Sequence, residues 1–267
     1  MAYEKFLIVA SKMDKAGINI TTQLSQFPRE NFSFYLVEEE MIYTENIDLS
    51  KINKFDFIIF ASKHKSEKKE KTLSIHAPGN WRNAELGGES GKASRTSALF
   101  QKQLFERLNQ NVGSSGLGNR YKVTLECTHH GPLIDKPCVF IEIGSTQEEW
   151  EDRRAGFILA KTILETIQNF KPNPYNEIAI GIGGPHYCPN FNKLQLNSNI
   201  AISHIIPNYA FPLTEEMVKE AINKTEEEVD FIVLDWKGMG RAEQRDEVLK
   251  ILDKLYINYK KISEINK

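Results

Sequence analysis

The sequence predicts an α/β fold in which a largely parallel or mixed sheet carries helices on both faces. Two observations predict it. Short runs rich in Ile, Val and Phe recur along the chain, several of them apolar on both faces as buried strands are. Segments with helical spacing of apolar residues lie between them, and strands alternating with helices build layered α/β domains. The length of 267 residues suits such a fold and gives it a real core.

The strand-like runs are Phe6–Ala10, Phe55–Ala61, Leu73–His76, Val123–Cys127, Val139–Ile143, Glu177–Ile182, Ile200–Ile206 and Phe231–Leu234. Ser97–Asn109 places Phe100, Leu104, Phe105 and Leu108 on one helical face. Ser145-Thr146-Gln147-Glu148 reads as a capping box that opens a helix running to about Asn169. Thr214 caps a helix ending near Asn223, and Glu247–Ile257 reads as the last helix. Ser62–Lys71 reads as a polar, lysine-rich loop, and Gly113–Gly118 as a flexible one. Lys171-Pro172-Asn173-Pro174 breaks the chain after the long helix. We expect one domain over 1–267, with a lobe break near 171–175, because candidate site residues lie on both sides of it.

Composition excludes several classes. No apolar run approaches the roughly 18 residues of a membrane span. The N-terminus lacks the pattern of a signal peptide, so we expect a cytoplasmic protein. Cys127, Cys138 and Cys188 are an odd number without a C-x-x-C, which argues against a disulfide framework and a thiolate zinc knuckle. A formal net charge of −2 means that any RNA contact must come from a local patch. We expect a monomer with no protein partner.

The six histidines are the informative feature. His64, His76, His129, His130, His186 and His204 all sit late in a strand-like run or just beyond it. Ligands of open α/β sheets bind outside the carboxyl ends of strands, so these side chains can converge. Glu142 lies in Val139–Ile143 facing opposite to Ile141 and Ile143, and a buried carboxylate needs a partner. Asp235 ends Phe231–Leu234 in the same way. Pro- and Gly-rich loops follow His76, follow His130 and surround His186, which stiffens the backbone and lets it approach closely. Imidazole and carboxylate are ligands for a catalytic zinc ion, which needs about three of them and an open position. On a regular strand His129 and His130 point to opposite faces. We therefore expect one as a ligand and the other to orient substrate or shuttle protons.

Each residue also has a plainer reading. His64 can be part of a solvated lysine loop. Glu142 can pair with Arg153 or Arg154. Asp235 can cap the turn before Gly238. Trp81 and Trp150 suit a core better than base stacking, and the cysteines suit packing, with Cys188 in the histidine loop the one to watch.

At these residues the chain resembles the archaeal- and plant-type D-aminoacyl-tRNA deacylases. The matching segments are Ala61–Ser66, His76–Trp81, Thr128–Pro132, Glu142–Thr146 with Glu149-Trp150, Gly183–Tyr187, His204–Pro207 and Asp235–Gly238, in order across most of the chain. Ala77 stands where the family has threonine, and Ser203 where it has glycine. The resemblance implies a three-layer α/β/α sandwich with a mixed, mostly parallel central sheet, related to nucleoside phosphorylases and peptidyl-tRNA hydrolases. It implies hydrolysis of the ester between a D-amino acid and tRNA, with Zn2+.

The expected catalytic residues are His76, His129, His130, His186 and Glu142. The expected metal ligands come from His76, His130, Glu142, His186 and His204, with Asp235 fixing a ring tautomer behind them. A backbone pair at Gly183-Gly184, or the ion, would stabilise the oxyanion. Lys63, His64, Lys65, Lys68, Lys69, Arg95 and Lys102 are the expected tRNA contacts. A metal-dependent esterase or amidase of small substrates, and a non-catalytic RNA-binding module, are the alternatives.

Overall fold

The computed structural model describes residues 3–45, 47–172 and 174–265; part of the N-terminal start and Asn173 of the expected break lie outside the described residues. In chain order the elements are β1 Phe6–Ser11, α1 Lys15–Leu24, β2 Phe32–Val37, α2 Leu49–Ile52, β3 Phe57–Lys65, β4 Thr72–His76 and α3 Ala98–Ser115. They continue with β5 Lys122–Leu125, β6 Cys138–Ser145, α4 Gln147–Trp150, α5 Arg153–Asn169, β7 Glu177–Ile182, α6 Pro189–Asn197 and β8 Ile200–Ile206. The last are α7 Glu215–Asn223, β9 Phe231–Leu234, α8 Ala242–Lys254, β10 Tyr259–Lys261 and α9 Ile262–Ile265.

The strands form a six-stranded sheet ordered β2-β1-β3-β6-β4-β5 and a four-stranded sheet ordered β10-β9-β7-β8. Only the β4–β6 pair is antiparallel among the described pairings. The fold is thus α/β with a mixed, mostly parallel six-stranded sheet. The division into two sheets is invisible in the strand pattern, because both sets of runs are equally apolar.

Register sorts the side chains of the large sheet. Ile59, Ile141, Ile143, Leu73 and Ile75 share one face with α1, α3 and α5 in the main core. The opposite face carries Phe60, Ser62 and His64 of β3, Phe140 and Glu142 of β6, and Thr72, Ser74 and His76 of β4. Phe60 and Phe140 stack at 4.7 Å between centroids, and His76 lies flat on Phe140 at 5.0 Å. A polar stripe therefore crosses a sheet face that is otherwise apolar. Gly144 makes room for it, since a Cβ there would come within 2.8 Å of the His64 ring and 2.6 Å of Thr72 Oγ1.

The two sheets meet at the segment after β5. Glu126 N–H donates to Ile75 O within the large sheet, while Cys127 N–H donates to His186 O and Thr128 N–H to Ile205 O of the small one. α3 packs against both β4–β5 and β8, and one hydrophobic core runs under both sheets. α7 and α8 cover the other face of the small sheet around Ile180, Ile182, Ile232 and Leu234.

Local chemistry explains where the expected boundaries move. Thr146, not Ser145, opens the helix: its N–H and hydroxyl both donate to Glu149 Oε2, while Ser145 ends β6. That helix lasts one turn, and α5 restarts at Asp152, whose carboxylate accepts from Arg154 N–H and Ala155 N–H. Ser62–Lys65 is strand rather than loop, because β3 continues its ladder beside β6 to Lys65. α1, β2, α2, α6, β10 and α9 are absent from the sequence reading. α1 is set by Asp14, which accepts from Gly17 N–H at 3.0 Å and ties the cap to Ser62 Oγ at 2.8 Å.

Candidate active site

Five of the six histidines meet on the polar stripe and at the seam between the sheets. β4 delivers His76, β3 delivers His64, the segment after β5 delivers His129 and His130, and the loop after β7 delivers His186. The site lies on a sheet face, not simply beyond strand ends. β4 runs against β6, so the end of one lies beside the first half of the other: His76 is level with Phe140.

Ring hydrogen bonds fix the orientation of three imidazoles. His76 Nδ1 lies 3.2 Å from Ala77 O, His129 Nδ1 2.9 Å from Cys127 O and His130 Nδ1 2.6 Å from Gly131 O. A carbonyl only accepts, so each Nδ1 carries the proton and each Nε2 presents a lone pair. The three rings lie together, with His76 4.2 Å from His129 and 4.8 Å from His130 between centroids. His130 has φ of +44°, a left-handed conformation uncommon outside glycine. That turn is why two adjacent histidines reach one point. Burial and neighbouring imidazoles keep all three neutral, with His76 pushed down to about 4, His130 to about 3 and His129 well below the usual range.

Two buried carboxylates face these lone pairs. Glu142 Oε2 is 3.4 Å from His76 Nε2 and 3.7 Å from His64 Nδ1. It pairs with neither Arg153 nor Arg154. Glu126, absent from the sequence reading, is the hub. Its Oε1 lies 3.2 Å from His64 Nδ1, and its Oε2 lies 3.4 Å from His129 Nε2 and 3.0 Å from His186 Nε2. Burial works against its charge, but His186 and His64 overcome that and hold Glu126 well below the ordinary range. Glu142 is pushed well above it by burial and by the Glu126 charge. His186, half exposed, is raised to about 10: burial opposes this, and contacts with Cys127 and Glu126 outweigh it.

His76 Nε2, Glu126 Oε1 and Glu142 Oε2 are buried with no hydrogen-bond partner, and so are Thr72 Oγ1 and Ser74 Oγ on the same stripe. Orphaned buried polar atoms are rare in a finished protein. Among the described residues, four overlapping trios bring ligand atoms within 4.8 Å of one another: His76-His129-His130, Cys127-His129-His186, His64-Glu126-His186 and His76-Glu126-Glu142. This donor set fits a metal ion, and histidines that give Nδ1–H to a main-chain carbonyl are oriented as ligands are.

Other expected site residues lie elsewhere. His204 accepts from Thr128 Oγ1 at 3.1 Å and donates to Lys224 O at 3.3 Å, which leaves no lone pair and places it in none of the trios. Asp235 accepts from Asn190 Nδ2 and Gly238 N–H, so it holds the loop bearing His186 and touches no ring. Gly183 N–H is used by Ile206 O as the ladder runs on, so no free pair exists at Gly183-Gly184. Lys102 is fully buried against Ser198 O and Glu106, beyond reach of any RNA. Arg95 is paired with Glu226 at 2.6 Å, and Lys63 with Glu40 at 3.0 Å. Lys65, Lys68 and Lys69 are exposed. His64 is buried in the cluster, with Nε2 2.9 Å from Tyr187 OH, because β3 extends past Ala61. Cys127 meets a histidine ring, at 3.5 Å from His186 Nδ1, whereas Cys188 Sγ reaches only the His186 main-chain oxygen.

Two clefts open onto the cluster. One of about 540 Å³ is lined by His64, His186 and Tyr187 with Lys65, Lys68 and Lys122. The other, of about 240 Å³, is lined by His129 with Trp81, Asn83, Glu85 and Tyr209.

Buried imidazoles beside two carboxyl groups, one held toward its ionised form and one pushed toward its neutral form, have the chemistry to activate water and move protons, as a hydrolase requires. Comparison with known proteins narrows the class. A family model described as D-aminoacyl-tRNA deacylase matches residues 51–260. The D-aminoacyl-tRNA deacylase of Pyrococcus furiosus is 34% identical, over 95% of this chain and 98% of its own. That of Pyrococcus horikoshii is 36% identical over the same shares. A crystal structure of a conserved protein of unknown function, AF0625, superposes with a TM-score of 0.89 at 29% identity, covering 99% of this chain and 98% of its own. The chain belongs to the D-aminoacyl-tRNA deacylase family.

Proposed function

We propose that this chain hydrolyses the ester joining a D-amino acid to the terminal ribose of tRNA and releases both. The observation that carries the reading is the meeting of the His76, His129 and His130 rings, with Glu142 buried beside His76 and Glu126 beside His129, in a family whose members are named for that reaction. His76, His129 and His130 would hold a zinc ion, and Glu142, beside His76, would join them by giving up its proton. Bound there, zinc would supply Lewis acidity and make water more acidic. Glu126 faces His64 Nδ1 and His186 Nε2, orients both rings and balances their charge. His186, at the mouth and hydrogen-bonded to Glu126, gives the leaving ribosyl oxygen its proton. Lys65, Lys68 and Lys69 attract the tRNA backbone. His204 and Asp235 are structural.

Because one core runs under both sheets, the chain works as a single domain. No helix among the described residues is long and apolar enough to cross a membrane. We place the protein in the cytoplasm, where translation supplies its substrate.

The test is deacylation of D-tyrosyl-tRNA beside L-tyrosyl-tRNA, before and after chelation and zinc add-back. The D isomer should be cleaved much faster, with activity lost on chelation and restored by zinc. Equal rates on both isomers would defeat the proofreading role. Activity that survives removal of the metal would defeat zinc and leave the substrate standing.

A further inference from the structure

We propose that the small cleft beside His129 receives the side chain of the D-amino acid, and that the exposed ring of Tyr209 is its selectivity wall. The proposal rests on the deacylase reading and adds to it a division of the substrate between the two clefts.

Charge divides the clefts first. The larger one has Lys65, Lys68 and Lys122 against one Glu67, which suits the phosphates of a tRNA 3′ end. The smaller one has Arg82 and Glu85. Arg82 is not free for a phosphate, because its guanidinium donates to Ala210 O at 2.9 Å and to Pro212 O. Size divides them next. About 240 Å³ suits one amino-acid side chain, and lies below the roughly 300 Å³ where clefts begin to enclose larger ligands.

Tyr209 lies at the joint. The residue is 60% exposed, yet its hydroxyl is pinned 2.8 Å from Cys127 Sγ and 3.4 Å from His186 Nδ1. The backbone beneath is held as well: Asn208 N–H donates to Gly184 O, and Asn208 Nδ2 donates to Gly238 O at 3.0 Å. A fixed, exposed aromatic face next to reacting groups is built to pack against something apolar. His129, which lines this cleft, and His186, which lines the other, both contact Glu126 Oε2. An ester held between His129 and His186 would extend one arm into each cleft.

The experiment measures kcat/KM of wild type, Tyr209→Ala and Tyr209→Phe on D-tyrosyl-tRNA and D-alanyl-tRNA. Wild type failing on both D substrates would defeat the deacylase reading itself. With wild type active, Tyr209→Ala should lower the tyrosyl-to-alanyl ratio about tenfold, the size of a lost pocket contact, and Tyr209→Phe should keep it. An equal loss on both substrates would place the terminal nucleotide, not the side chain, in the small cleft and overturn the proposal. Unchanged values in both variants would overturn it too. Circular dichroism melts of the variants separate these results from misfolding, and Asn83→Trp, which fills the cleft from an exposed position, should lower the same ratio independently.

Discussion

At the scale of single residues, Glu126 and His204 exchange the importance their sequence contexts suggest. Glu126 sits in Leu125-Glu126-Cys127, a carboxylate inside an apolar run, the same signal that marks Glu142. It was legible for that reason. What could not be read was that the chain leaves β5 there, so that Glu126 turns toward three histidines. Glu126→Gln should lower kcat/KM on D-aminoacyl-tRNA about 10–100-fold, the usual effect of losing a group that orients metal-site histidines. Steady-state kinetics check this, and wild-type rates would remove Glu126 from the site. His204 ends a strand like the others, but both its nitrogens are satisfied in the core. His204→Ala should destabilise the fold by about 1–3 kcal/mol through the unsatisfied Thr128 and Lys224 groups, with zinc content unchanged. Urea unfolding and metal analysis of the purified variant give both readings, and loss of zinc in a folded variant would reinstate His204 as a ligand.

At the scale of elements, caps decide where chain direction changes, and caps need tertiary partners the sequence does not display. Glu149 illustrates this. Its carboxylate takes two hydrogen bonds from Thr146 and pairs with Lys71 Nζ at 2.7 Å across to the start of β4. Burial alone would raise it, but Lys71 and Thr146 outweigh that and hold Glu149 below its ordinary value. A carboxyl lowered by folding stabilises the fold above its unfolded value, and that stability is lost as pH falls through the folded value. Thermal melts should therefore lose stability below about pH 4.5, the ordinary range of a glutamate. Glu149→Gln should be less stable than wild type near neutrality and show a shallower acid decline. Parallel pH profiles of the two proteins would rule this out. α1 escapes a sequence reading for a related reason: its cap, Asp14, is secured by Ser62 and Lys63 N–H, which come from β3.

At the scale of the whole molecule, the site exists because two sheets are joined. The polar stripe belongs to one sheet, and His186 and Tyr209 are supplied by segments around the other. A metal bound to His76, His129 and His130 would tie β4 to the seam between the sheets, and a ligand that binds only the folded state stabilises it. Chelation should therefore lower Tm, with zinc restoring it; identical melts with and without chelator would show that no ion is held there. The exposed lysines would act at the same scale, through the field of a cleft rather than through one bond. Lys65→Ala with Lys68→Ala should weaken tRNA binding and flatten its salt dependence by about one to two logarithmic slope units. Lys102→Ala, by contrast, should destabilise the fold by losing contacts to Ser198 O and Glu106, while the salt slope of tRNA binding stays at the wild-type value.

The alternation of most strands and helices, the supply of imidazole and carboxylate side chains near strand ends, and the face on which Glu142 lies follow from the chain itself. Alternation along β6 assigns Glu142 a face whatever it packs against, because that periodicity is a property of the extended backbone. Which groups meet was decided by packing. The antiparallel entry of β4 beside β6, the left-handed turn at His130 and the capture of Glu126–Thr128 by the second sheet set distances between residues far apart in sequence. Such contacts are long-range bargains among backbone hydrogen bonds and buried area. No local run of residues encodes them, so they emerge only when the two sheets close over one core.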